Sequence, residues 1–526
     1  MQKSKFYILS ATSVIPFLQP CYVHGANESG CPQKDRLNVV FILADDLGWS
    51  DVSLYGSTQL YETPNLERLA ERGIIMNSAY SASPLSSPTR ASILTGQTPV
   101  RTGITSPCCN EAEVRMCALP GQKGTPDRKT ADNISATRLD NTLPTLGKLF
   151  KNAGYTTGHF GKWHLGHEPY SPLEHGFDID IPHWDGFGPP GSYIAPWPRA
   201  EFNMVPRYEG EHIEDRMAYE AVSWLRSIDL SKPFFMNYWM FSVHTPVGAK
   251  KEYVDEFRQK IDLKSSQKSP TYAAMVKSMD DAVGALLDEI DRLGIADNTL
   301  IVFFSDNGPA TFTGLREKTV QDSIYITAPT SADPLRGGKC NVYEGGIRVP
   351  CVIVWPGVIE PASCSDDRMQ STDFYPTLLA AAGIDLPEGH EIDGVDIKNI
   401  LTGGHSDRKP MFTYFPHNFK EGDWLPPCIA VHAGDWKLIR IFYMGEGIKH
   451  DYRLFNLKED PYEKNDLSRK YLDKVRELDY LIEEYLIETK AVTPALNPNY
   501  DPMKFDPSTI GIQPGGLKVP PEQKPI

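Results

Sequence analysis

Positive charge is in short supply in this 526-residue chain: 53 lysines and arginines stand against 68 aspartates and glutamates, a formal net charge of −15. A nucleic-acid partner would require a basic surface to neutralise phosphates, so that class is excluded, and any anionic ligand must meet a local cationic pocket. Cysteine is scarce, nine residues in all, and none falls in the paired CxxC spacing of a structural zinc site. Long apolar runs are lacking too. The stretch from Phe6 to Leu18 follows Lys3 and Lys5, is interrupted, and is too short to hold a chain in a bilayer. Small residues follow at Val23-His24-Gly25-Ala26, so residues 1–25 read as an export signal and the product as periplasmic, secreted or at the cell surface, without stable membrane insertion. Cys21 raises lipoprotein attachment, a pattern that Gln19 and Pro20 fit poorly. Signal removal would leave eight cysteines, an even number compatible with disulfides outside the cytosol and equally with free buried thiols. No internal repeat is visible.

The chain is long enough, and at 40% hydrophobic residues apolar enough, for a sizeable core and more than one domain. Leu37 to Ala44 is almost continuously apolar, as a strand covered on both faces must be. Thr63-Pro64 starts a helix with a capping threonine and an N1 proline, and Thr142 with Pro144 repeats the device before Leu146, Leu149 and Phe150, with Gly154 beyond the end. A strand over 299–304 and a helix carrying Met275, Met279, Val283, Leu286 and Ile290 continue the alternation. The pattern predicts an α/β fold: a large mixed sheet flanked by helices on both faces, over residues 32–400. After residue 400 short strands such as Trp436–Arg440 and Arg453–Leu457 precede an amphipathic helix with Leu472, Val475, Leu478, Ile482 and Tyr485 at helical spacing. Residues 401–490 therefore read as a smaller α+β domain. Residues 491–526 are proline-rich and without periodicity, a tail that wraps the surface or stays mobile.

Two strand ends and one helix start carry the chemistry. The first strand ends in Asp45-Asp46, and Leu300–Phe304 ends in Ser305-Asp306-Asn307-Gly308. Ligands of open α/β sheets collect beyond the carboxyl ends of strands, and three carboxylates with an amide oxygen there form an all-oxygen set suited to Ca²⁺ or Mg²⁺ rather than zinc. Taken singly, each pair is an ordinary turn or cap. The run Ser86-Ser87-Pro88-Thr89-Arg90, continuing to Thr95-Gly96, places a modifiable hydroxyl just before a proline-started helix, whose positive end favours an anion, with an arginine one turn on and a glycine stop.

That run resembles the signature of the formylglycine-dependent sulfatases, of the serine type found in bacteria. Gly161-Lys162-Trp163-His164-Leu165-Gly166 resembles the family's second signature, Val243-His244-Thr245-Pro246 a histidine element, and Leu335-Arg336-Gly337-Gly338-Lys339 with Tyr343–Pro350 the element presenting a lysine to sulfate. The similarity extends from about Asn38 to Leu467. It implies that Ser86 is oxidised to formylglycine by a maturase that accepts serine, and that Asp45, Asp46, Asp306 and Asn307, with the modified Ser86, hold one Ca²⁺. It further implies that Asp306 assists attack, that Lys162 contacts the sulfate, that Lys339 and His244 lie on the leaving-group side, and that Arg90 and His164 support the aldehyde hydrate, one hydroxyl of which attacks sulfur while the other later expels sulfate.

The expected activity is hydrolysis of a sulfate monoester on a sulfated oligosaccharide, of galactose or N-acetylgalactosamine type. A phosphate or phosphonate esterase of the same fold, and an inactive protein that only binds sulfated glycans, are the alternatives. Aromatic residues at Trp184, Phe187, Tyr193 and Trp197, and Tyr414, Phe415, His417 and Trp424 from the second domain, either stack against sugar or pack the loops between domains. His417 is the candidate substrate contact among the latter.

Overall fold

The computed structural model describes residues 36–512 apart from 200, 203, 406 and 407, together with 517 and 519; the export signal and Cys21 lie outside the described residues. The central sheet has eight strands: β1 (Asn38–Ala44), β2 (Ile74–Tyr80), β3 (Thr156–Gly161), β4 (Ile179–Ile181), β5 (Phe234–Trp239), β6 (Thr299–Ser305), β7 (Cys351–Val354) and β8 (Ser363–Gln370), in the order β8-β2-β7-β6-β1-β5-β3-β4. All run parallel except β7, which is antiparallel to both β2 and β6. β1 pairs with β5 on one side and β6 on the other, in a register that sets Ala44 beside Ser305. Asp45-Asp46 and Asp306-Asn307 therefore emerge side by side from one edge of the sheet.

Both faces of β1 are covered, which is why it reads as an unbroken apolar run. Val40, Ile42 and Ala44 face one side, where α1 (Pro64–Ala70) packs with Met217, Ala221 and Leu225 of α4 (Ile213–Ser227) and with Met275, Met279, Val283 and Leu286 of α5 (Pro270–Arg292). Val39, Phe41 and Leu43 face the other, with Ile93 and Leu94 of α2 (Ser86–Thr95), Leu146 and Phe150 of α3 (Leu146–Asn152), and Phe374 and Leu378 of α6 (Phe374–Ala381). At about 25 cal/mol per Å² of apolar area, two such layers supply most of the folding drive.

The second domain is a four-stranded antiparallel meander, β9 (Met411–Phe415), β10 (Cys428–Ala433), β11 (Trp436–Ile441) and β12 (Asp451–Asn456). One face, through Ile429, Val431, Leu438 and Leu454, packs on α7 (Leu472–Glu488) via Val475, Leu478, Ile482 and Tyr485. The opposite face, through Phe415, Ala430, Ile439 and Phe455, lies on Leu85, Val342 and Tyr343 of the first domain. Of the tail, Ala495–Leu496 pairs antiparallel with Thr130–Ala131, and the Asn497 side chain holds the 124–128 loop.

Several local expectations shift by a residue or more. Ser86 is the first residue of α2 rather than its predecessor, with Leu85 at the cap, and Gly96 ends the helix with φ 69° as the turn requires. The cap of α3 is Thr145, and Thr142 instead binds the Asp140 carboxylate. Thr63 precedes Pro64 as expected but spends its hydroxyl on the Ser53 peptide N–H. Leu472, on the predicted apolar stripe, is 58% exposed because it begins α7 before the helix reaches the sheet. The described cysteines, 108, 109, 117, 340, 351, 364 and 428, are all free thiols, so the disulfide alternative finds no support among the described residues. Among the described residues, no helix is long and apolar enough to cross a membrane.

Candidate active site

The two acidic strand ends converge on the start of α2. Ser86 is 2% exposed, and its Oγ lies 3.1 Å from Asp45 Oδ1 and 3.2 Å from Asn307 Oδ1. Asn307 Nδ2 donates to Asp46 Oδ1 at 2.7 Å, and the Asp46 peptide N–H donates to Asp306 Oδ1 at 3.1 Å. Asp46 adopts φ 63°, a left-handed conformation that aspartate tolerates better than most residues and that turns its carboxylate back toward its neighbour's site.

Three cations answer the three carboxylates. Lys162 Nζ donates to Asp45 Oδ2 and Lys339 Nζ to Asp46 Oδ2, each at 2.7 Å. Arg90 donates through Nε (2.9 Å) and reaches through its other arm (2.8 Å) to Asp306 Oδ2, while a third nitrogen donates to the Lys162 carbonyl at 2.7 Å. Its guanidinium lies 5.3 Å from the Trp239 ring, so a face of the charge is engaged as well as its N–H edges. His244 Nδ1 sits 2.5 Å from the Thr245 carbonyl and must carry its hydrogen there, which leaves Nε2 facing Asp46 Oδ2 at 3.7 Å. His164, also left-handed at φ 54°, sets Nε2 3.2 Å from the Pro107 carbonyl and accepts Ser87 Oγ on its own carbonyl at 2.7 Å. The buried Nδ1 of His164 has no hydrogen-bond partner among the described residues.

The charges distort one another's protonation. Burial pushes the Asp45 carboxyl up to about 8 despite Lys162 and Arg90, with Asp306 and Asp46 adding repulsion. Asp46 goes the other way: burial would raise it, but Lys339, His244 and Lys162 hold it well below the carboxylate range. Asp306 is likewise lowered, chiefly by Arg90 working against burial. Burial, with the neighbouring lysines, holds the His244 imidazole down to about 3 and drives His164 well below its ordinary value, so both rings are neutral at pH 7. A buried carboxyl that cannot ionise fully against its neighbours is what one more cation would relieve. Oxygen atoms from Asp45 and Asn307 flank the Ser86 hydroxyl, Asn307 and Asp306 are each hydrogen-bonded to Asp46, and Asp45, Asp46 and His244 bring donor atoms within 4.8 Å of one another. This donor set fits a hard divalent cation.

Nine of the eleven expected site residues thus sit in one network; His164 adjoins it through the Ser87 hydroxyl and the Pro107 carbonyl, and His417 lies apart. It is 5% exposed at the end of β9, its Nε2 is 3.0 Å from Thr105 Oγ1, and among the described residues none of its hydrogen bonds reaches the cluster. Of the other aromatics, Tyr193, Trp197, Tyr414, Phe415 and Trp424 are buried as packing residues and Trp184 is partly buried. Phe187 is 50% exposed, its ring centroid 6.0 Å from that of His244. Two residues support the site from behind, Glu214 without any sequence signal and Tyr193 in a role that its aromatic character alone did not indicate. Glu214, in the first turn of α4, accepts the Phe241 and Ser242 peptide N–H groups at 2.9 and 2.7 Å, and the Tyr193 hydroxyl reaches the Phe241 and His244 carbonyls at 2.6 and 2.9 Å. Together they fix the loop that presents His244.

A mixed sheet covered by helices on both faces, with a buried, cation-ringed acidic cluster beyond the carboxyl ends of its central strands, is an arrangement suited to binding and hydrolysing a charged ester. The model of the family described as Sulfatase matches residues 37–384, and that described as N-sulphoglucosamine sulphohydrolase, C-terminal, matches residues 338–490. The chain belongs to the sulfatase family and is a sulfuric ester hydrolase. It is 32% identical over 411 residues to the N-acetylgalactosamine-6-sulfatase of Rattus norvegicus, covering 74% of this chain and 70% of the rat protein. Against the N-acetylgalactosamine-6-O-sulfatase of Bacteroides thetaiotaomicron it is 27% identical over 539 residues, covering 86% and 96%. The crystal structure of Ps i-CgsB in complex with k-i-k-neocarrahexaose superimposes with a TM-score of 0.66 at 25% identity, covering 86% of this chain and 92% of that one.

Proposed function

We propose that the chain removes sulfate from a galactose- or N-acetylgalactosamine-type sugar, with Ser86 as the residue converted to the nucleophile and one calcium ion held by Asp45, Asp46, Asp306 and Asn307. The observation that carries the reading is the Ser86 hydroxyl wedged between Asp45 and Asn307 inside a ring of Arg90, Lys162 and Lys339. Similarity to N-acetylgalactosamine-6-sulfatases supports the sugar and favours its 6-sulfate. The exported location and the need for a maturase belong to the same proposal.

An unmodified serine is a weak nucleophile, and neither histidine ring is a hydrogen-bond partner of its Oγ, which donates instead within the acidic cluster to Asp45 and Asn307. Formylglycine at this position would supply a hydrated aldehyde with two hydroxyls on one carbon, and the calcium ion would supply a fixed charge for the sulfate oxygens. The chain's own groups do the rest. Lys162 and Lys339, now spent on Asp45 and Asp46, are the cations long enough to turn toward an entering sulfate, and Arg90 stays fixed as the buttress of Asp306. His244 turns Nε2 toward the leaving-group side, with Nδ1 anchored on the Thr245 carbonyl; it donates to the leaving oxygen only as the imidazolium, the form that the negative charge of an entering sulfate would favour. Phe187, exposed beside it, offers an apolar face to the departing sugar.

The test combines mass and rate. In protein from a host with serine-type maturation, the Ser86 peptide should be lighter by two hydrogens, and that protein should release sulfate from 6-sulfated N-acetylgalactosamine. Changing His244→Ala should lower that rate by about 10²- to 10⁴-fold. Full activity with an unmodified Ser86, or a wild-type rate in H244A, would overturn the corresponding assignment; tight binding of the sulfated sugar without sulfate release by fully converted protein would overturn the catalytic role itself.

A further inference from the structure

The face of the second domain that lies on the first is not purely apolar. At its centre Glu344, 1% exposed, accepts from Lys437 Nζ (2.9 Å) on β11, faces His432 Nε2 (2.9 Å) on β10, and accepts from the Tyr80 hydroxyl (2.7 Å) at the end of β2. The Glu344 peptide N–H donates to Glu463 Oε2 at 2.7 Å, and Glu463 Oε1 lies 2.8 Å from the same Lys437 ammonium. Lys437 and Glu463 are fully buried. Such a group of charges is weak evidence of stability, because desolvation cancels most of the attraction, but its directional bonds permit only one relative placement of the pieces they join.

The piece held on the first-domain side is a turn that borders both catalytic loops. Glu344 opens the helical turn Glu344–Ile347. On one side of that turn the Gly308 N–H, immediately after Asn307, donates to the Gly346 carbonyl at 2.9 Å, and a Cβ at Gly308 would meet the Gly345 oxygen at 2.0 Å. On the other, the Gly345 N–H donates to the Arg336 carbonyl at 2.7 Å, and a Cβ at Gly346 would meet the Gly338 oxygen, one residue before Lys339, at 2.4 Å. The Lys339 peptide N–H in turn donates to the Pro309 carbonyl at 2.9 Å. Backbone runs against backbone on both flanks, so a shift of the turn moves Asn307 and Lys339 together.

We propose that Glu344 is a positioning residue through which Lys437, His432 and Glu463 of the second domain hold the Asp306-Asn307 loop and the Lys339 loop in reactive register. The inference rests on the reading that places Lys339 on the leaving-group side. A misplacement of about 1 Å in such a support can cost roughly 10²-fold in rate. The consequence should fall on kcat rather than KM, and on substrates that need help with departure.

The test compares Lys437→Met and His432→Asn with Lys339→Ala in the matured full chain, on 6-sulfated N-acetylgalactosamine and on 4-nitrophenyl sulfate, whose leaving group is far better. Expected is a fall of about 10²-fold in kcat on the sugar for K437M, a smaller fall for H432N, little change in KM, and a markedly weaker effect on the aryl ester, the pattern that K339A itself should show. K437R, which keeps the charge, should restore part of the loss. A misfolded fraction would lower both substrates equally, so equal losses, or none in a folded K437M or H432N, would overturn the proposal. If K339A shows no preference between the substrates, the leaving-group assignment of Lys339 fails instead, and the positioning claim falls with it.

Discussion

Glu214 offers a measurement of how much the loop carrying His244 depends on one buried carboxyl. Burial pushes this group from an ordinary 4.5 up to about 7, although the Ser242 and Phe241 peptide N–H groups donate to it and pull the other way. In the unfolded chain the proton leaves near 4.5; in the folded chain it stays until about pH 7. Between those values the native state binds the extra proton, so stability falls as pH rises, by up to about 1.4 kcal/mol per pH unit and roughly 3 kcal/mol over the window. Below the unfolded value the group contributes nothing to the slope. Replacing Glu214→Gln keeps an acceptor oxygen for the two N–H groups and removes the titration. Urea unfolding of wild type and E214Q at matched pH should therefore give two curves of ΔG that lie together near pH ~4.5 and separate by roughly 3 kcal/mol in favour of E214Q by pH ~7.5. Contributions from the other carboxyls cancel in the difference. Parallel curves across that range would refute the claim that Glu214 is desolvated and protonated in the native state.

Arg90→Met should destabilise the fold by about 3–5 kcal/mol, since it strands the fully buried Asp306 carboxylate; thermal unfolding reads this directly, and a loss below about 1 kcal/mol would mean that Asp306 is neutralised by other means. Dialysis against a calcium chelator should abolish sulfate release and lower the unfolding temperature, and returning calcium at about a hundredfold above its Kd should restore about 2.7 kcal/mol. A chelated protein with unchanged stability and rate would argue against a cation among Asp45, Asp46, Asp306 and Asn307.

The parts legible in the sequence are those where one physical constraint acts locally. Leu37 to Ala44 had to be buried on both faces, and β1 is, since Val39 and Val40 meet different helical layers. Asp45-Asp46 and Asp306-Asn307 announce themselves because polar pairs end two apolar strands, and the register of β1 against β6 brings them together. Helix α7 follows its periodicity from Val475 onward, while Leu472 fails because a stripe does not reveal where the partner sheet ends. The aromatic residues were ambiguous for a similar reason: Tyr193 and Phe187 belong to the same insertion, yet the Tyr193 hydroxyl is drawn inward by two carbonyls and Phe187 is left outside. His417 could not be placed from its neighbours, because its hydrogen bond goes to Thr105, 312 residues away. Glu214 and Lys437 carried no visible pattern, being single charges on otherwise ordinary elements, and Glu344, although inside the Tyr343–Pro350 element, gave no sign of its bonds because its partners come from distant segments.

The depth of Ser86 imposes a schedule. Asp45 comes from a segment 41 residues earlier, but Asn307 closes over the hydroxyl from 221 residues later. If Ser86 is converted as proposed, a separate protein would have to reach it while the later strands are still being made or are not yet docked. Once the sheet has shut, a molecule left unconverted would have to unfold before its hydroxyl could be reached.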